Sequence, residues 1–84
     1  MLMGQVVGNI VSTRKHESLV GSKILEVKLL HENKDIDEFM IAIDCGVGAG
    51  IGDRVLITTG SSARLALRDK ETAVDAVVVG IIDE

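Results

Sequence analysis

Apolar and polar residues alternate cleanly along Lys23–Leu30 (KILEVKLL), with Leu25, Val27 and Leu29 on one side and Glu26 and Lys28 on the other. A two-residue period of this kind is what a strand with one buried face requires. Four further segments carry strand character: Met3–Thr13, Phe39–Asp44, Arg54–Thr59 and Ala73–Ile82. The connections between them are polar or glycine-rich. Arg14–Ser22 is a polar link with Leu19-Val20 as an apolar tether, and His31–Glu38 reads as a short charged hairpin loop. Cys45–Asp53 is a glycine-rich loop and Arg68–Thr72 a second charged one. Gly60-Ser61-Ser62 precedes Ala63–Leu67, where a serine suits the cap of a short helical turn.

Closely spaced strands with no long helix between them predict an antiparallel barrel or sandwich. Five strands and one short helix fit an all-β fold, a small five-stranded OB-like β-barrel, with residues 1–84 as a single domain. The first and last strands are apolar on both faces. Val6 and Ile10 oppose Val7 and Val11, while Val78 and Ile82 oppose Val77, Val79 and Ile81. A one-layer barrel buries only its inside, so the outer apolar face asks for a neighbouring subunit.

Composition strengthens that expectation. A chain of 84 residues is short for a self-sufficient core. Cys45 is the only cysteine, so no intrachain disulfide can form, and His16 and His31 make no recognisable metal set with it. The apolar fraction is 46%, almost all of it aliphatic, with Phe39 the only aromatic. The net charge of −4 opposes nucleic-acid binding. No run of about 20 apolar residues spans a membrane. The N-terminus lacks the features of a signal peptide, which together with the unpaired thiol points to the cytoplasm.

Five places invite chemistry. The loop Gly46–Asp53 resembles a phosphate cradle, but it leads into a strand rather than a helix and lacks the lysine and serine of a nucleotide loop, so a tight structural turn is expected. Cys45 beside Asp44 has no placed histidine or cation to lower its pKa and is expected to be a packing residue. Ser61, Ser62 and Arg64 lack the glycines of a nucleophile elbow and suit helix capping or a subunit junction. Arg14-Lys15-His16 is a basic spot in an acidic chain, expected to be solvated. Asp75 stands among apolar residues and calls for a partner such as Arg64 or Arg54.

Four blocks in order resemble the EutN/CcmL family of microcompartment vertex proteins. They are Gly4–Gly8 leading through Ser12–Lys15 to Ser18–Leu25, then Ala42-Ile43-Asp44 followed by Gly48–Leu56, then Gly60–Arg64, and finally Val74–Asp83. Together they span nearly the whole chain. The resemblance implies an OB-like barrel that closes into a homopentamer at the vertices of a bacterial microcompartment shell, carboxysome-like in architecture, with hexameric shell proteins as facets. It implies no enzyme, no cofactor, and neither nucleic acid nor membrane as partner. It places Gly48, Ala49, Gly50, Gly60, Ser61, Ser62, Ala63 and Arg64 near subunit contacts or the five-fold opening, and Asp75 is added as a candidate. Three features depart from the family pattern: one extra residue between Asp44 and Gly48, Ala73 where many relatives have proline, and no long C-terminal extension after Glu84. The competing function is an OB-fold binding module for nucleic acid or a small ligand, which would need aromatic platforms and a positive groove.

Overall fold

A computed structural model describes residues 1–11, 22–32, 34–60 and 75–82. Five strands form the fold: β1 (Leu2–Ile10), β2 (Lys23–His31), β3 (Lys34–Asp44), β4 (Arg54–Thr59) and β5 (Ala76–Ile81). They close into a barrel in the order β1-β2-β3-β5-β4. All pairs are antiparallel except β3–β5, a parallel contact made at Ile43 and Val77. The expected five-stranded barrel is therefore present. The short helix expected at Ala63–Leu67 lies outside the described residues.

The core draws on every strand. Val6 of β1, Leu25 and Val27 of β2, Ala42 of β3, Val55 and Ile57 of β4, and Ala76 and Val78 of β5 form one buried cluster, with Met40 packed against it. Each of the larger side chains contributes about 1.5–3 kcal/mol by leaving water. Branched aliphatics suit this inner surface because their stiff side chains pack well on a pleat. Gly4 sits where β1 lies between β2 and β4, opposite Leu29 and Val55. A Cβ there would run into Val27 Cγ1 and stand 3.0 Å from the Lys28 carbonyl oxygen. A close backbone approach thus requires glycine at position 4, whereas a Cβ at Gly8 would meet open space.

Bulges explain where the simple alternation fails. A register shift between Val6 and Gly8 puts Asn9 rather than Ile10 opposite the core residue Leu25. Ile10 therefore stands outside with Val7 instead of inside with Val6. Leu29 pairs with Gly4 as its period predicts but is only half-buried, while the next residue, Leu30, is buried. A bulge beside it carries Lys28 opposite Phe39 and Leu30 opposite Asp35. On β5, Val77 and Val78 are both buried, while Val79 and Ile81 are exposed.

The largest departure is the segment His31–Glu38. Instead of a loop it is mostly strand: β2 runs to His31 and β3 begins at Lys34, five residues before Phe39. Charged residues are tolerated there because neither face of this ribbon is buried, and Lys34 through Phe39 are all exposed. Cross-strand contacts hold it in place of a core. Lys28 Nζ lies 3.1 Å from Asp35 Oδ2 and 5.6 Å from the Phe39 ring centroid. Glu32 at the tip and Asp37 within the bulge adopt left-handed backbone, with φ of 53° and 57°. Acidic residues visit that region more readily than branched ones. β1 and β5 are shorter than expected: β1 ends at Ile10, and β5 begins at Ala76 and ends at Ile81.

Candidate subunit-contact surface

The loop between β3 and β4 is built around one buried carboxylate. Asp44 ends β3, is buried, and accepts three backbone N–H bonds: from Val47 (2.8 Å), Gly48 (3.0 Å) and Ala49 (2.6 Å). Glycines make this wrap possible, since Gly46 and Gly48 have φ of 104° and 90°. Ala49 is thereby drawn into the barrel core. Its carbonyl oxygen accepts from Lys23 Nζ at 3.1 Å. Asp53 repeats the device one turn later, with Oδ2 accepting from the Gly50 N–H at 2.8 Å. The end of the loop is then stitched to β1 by Val6 N–H to the Asp53 carbonyl and Gly52 N–H to the Val6 carbonyl, both 2.9 Å.

This geometry disposes of the phosphate-cradle idea on physical grounds. Backbone N–H groups that would receive an anion are already taken by the chain's own carboxylates. The structural turn expected for this loop is what forms. In the sequence Asp44 figures only as the neighbour of Cys45 and as a member of one family block, and its capping role goes unread. The available signal was an acidic residue at each end of a glycine run, the pattern by which Asp ties down neighbouring amides.

The other candidates are placed as follows. Gly48 is exposed, Gly50 half-buried and Ala49 fully buried. Gly60 has φ of 65° and donates its N–H to the Asp75 carbonyl at 2.8 Å, extending the β4–β5 ladder by one step. Gly60 and Asp75 are thus brought together, while Gly48–Gly50 lie in the separate loop before β4. Ser61, Ser62, Ala63 and Arg64 lie outside the described residues, as do Arg14, Lys15 and His16. Asp75 precedes β5 and is exposed, so it is not the carboxylate within an apolar strand that the pattern suggested. Strand β5 starts one residue later, and Asp44 is the buried carboxylate instead. Cys45 is a free, exposed thiol rather than a packing residue, because Asp44 before it turns inward to meet the loop amides.

Apolar side chains remain on the outside of the barrel, among them Val7, Ile10, Ile41, Val79 and Ile81. They are apolar side chains that the described residues of the chain leave uncovered.

The family model described as "Ethanolamine utilisation protein EutN/carboxysome" matches residues 1–83. The chain belongs to the EutN/CcmL family. The bacterial microcompartment shell vertex protein GrpN of Rhodospirillum rubrum is 43% identical over 83 residues, covering 99% of this chain and 93% of that one. The carboxysome shell vertex protein CcmL of Gloeobacter violaceus is 43% identical over 84 residues, covering 99% and 83%. Among solved structures, the GrpN pentameric microcompartment shell protein from Rhodospirillum rubrum superposes with a TM-score of 0.87 at 41% identity. That match covers all of this chain and 95% of the other. The resemblance read from the four sequence blocks is therefore correct, and with it the structural role: this is a shell vertex protein of a bacterial microcompartment, not an enzyme. The OB-fold binder is set aside by the same findings.

Proposed function

We propose that residues 1–84 act as one domain, and that five copies close into a ring capping each vertex of a polyhedral shell in the bacterial cytoplasm. The observation that carries this is the match to a pentameric shell protein along the full chain. A ring of this kind joins one patch of each subunit to a different patch on the next, with the rotation closing after five. The outer apolar residues supply surface for such a contact, and Gly48–Gly50, Gly60–Arg64 and Asp75 are its proposed loop elements. A shell tiled with hexagons needs pentagons in order to curve shut, so hexameric facet proteins are the expected neighbours. The acidic balance opposes any nucleic-acid or anionic-membrane partner. Solution mass by multi-angle light scattering tests the ring: a species of five subunits is expected, and a stable monomer at micromolar concentration would refute it.

A further inference from the structure

Lys23 opens β2 on the same side of the strand as the core residues Leu25 and Val27, directly opposite Asp44 of β3. An apolar residue would simply continue that buried stripe. A lysine has a different use there, because the β3–β4 loop folds across this end of the barrel. Asp44 holds the loop by its N–H groups, from Val47 to Ala49, and Lys23 holds it by the opposite pole, donating from Nζ to the Ala49 carbonyl at 3.1 Å. Farther along, Gly50 and Asp53 bond to each other across the turn. Gly52 is tied to β1 through the Val6 carbonyl and the Gln5 side-chain amide. A loop restrained at so many points is stiff, yet it leaves two apolar side chains in water: Val47 is 36% exposed and Ile51 65%. Apolar groups on a stiff support associate at little ordering cost, which is what a subunit contact needs.

We propose that Lys23 is a positioning residue for ring closure, its ammonium fixing the loop in the shape that presents Val47 and Ile51 to the next subunit. This rests on the reading of the loop as part of the subunit contact. Within that reading Val47 and Ile51 are the groups that touch the neighbour, and Lys23 aims them through Ala49. The occupant is a second copy rather than an anionic partner, because the loop amides are engaged by the chain's own carboxylates and the exposed crest is aliphatic.

The test uses Lys23→Met, Lys23→Arg and Ile51→Ser in the full chain. Light scattering over a range of protomer concentrations gives the concentration at half assembly. Amide exchange, at a concentration that assembles every variant, reports on loop and barrel separately. For Lys23→Met the half-assembly concentration is expected to rise about tenfold, with faster exchange at Gly48 and Ala49 and unchanged exchange in the β1–β2 ladder. Lys23→Arg keeps a cationic donor and is expected to assemble as the native chain does. Ile51→Ser is expected to weaken assembly by about tenfold while leaving exchange at Ala49 unchanged. Native assembly of Lys23→Met or of Ile51→Ser overturns the proposal, as does a Lys23→Arg chain as weak as Lys23→Met. Faster exchange throughout the β1–β2 ladder of Lys23→Met also overturns it, since Lys23 would then serve barrel stability alone. An unaltered chain that stays monomeric at every concentration refutes the ring itself, before any variant is compared.

Discussion

Replacing Asp44 by alanine removes the acceptor for three backbone amides at once. The loss differs from bond to bond. Ala49 is fully buried, so its N–H has no water to turn to and bears the full desolvation cost, about 1–3 kcal/mol. Val47 and Gly48 are exposed, so water recovers most of what their amides lose, leaving about 0.5–1 kcal/mol each. The expected total is about 3 kcal/mol. For a domain of this size, 1 kcal/mol moves the melting temperature by about 4–8 °C, so a drop of well over 10 °C is expected. Asp44→Asn keeps one acceptor oxygen, which can serve Ala49 and Gly48 while the amide NH2 faces Val47, so about half the loss is expected. Thermal and urea unfolding of both variants should be compared with the native chain at one protomer concentration, because assembly shifts apparent stability by mass action. A loss below about 0.5 kcal/mol for Asp44→Ala, or equal losses for the two variants, would refute the view that this carboxylate organises the loop.

Two further substitutions probe the backbone. Gly4→Ala drives a methyl group into Val27 and the Lys28 carbonyl, at a cost of about 1–3 kcal/mol read from the urea midpoint; a neutral result would mean that β1 and β2 can separate freely. Gly52→Ala meets open space but must hold φ of 95°, so a loss of about 1–2 kcal/mol from backbone strain alone is expected in the same assay.

Most of the barrel was legible because its strands obey simple rules. Leu25 and Val27 alternate with charged residues, which places β2 to within one residue at its end, and Arg54–Thr59, bounded by a glycine loop and Gly60, matches β4 to the residue. The pattern misled where two-residue alternation met a bulge. Nothing in the composition of Val6-Val7-Gly8 announces that Asn9 rather than Ile10 comes to lie opposite Leu25, because a bulge is fixed by the partner strand as much as by its own. The ribbon at Lys34–Glu38 was hidden for a different reason. Its residues are those of a loop, and only pairing with β2, through contacts such as Lys28 with Asp35, makes them a strand. The family was legible from spaced blocks of small residues. The role of Asp44 inside one of those blocks was not, since its meaning depends on amides three to five residues ahead turning back to face it.

The order of the strands also distributes stiffness unevenly around the barrel. Four of its five seams are antiparallel ladders several pairs long, whereas the β3–β5 seam rests, among the described residues, on the single step between Ile43 and Val77. Slow amide exchange belongs to the long ladders, and the first opening belongs to the short seam, where the fewest bonds must break. A tube that is rigid on four sides and compliant on one can change its girth slightly without unfolding. In a closed ring such give would let each wedge adjust its angle to its neighbours.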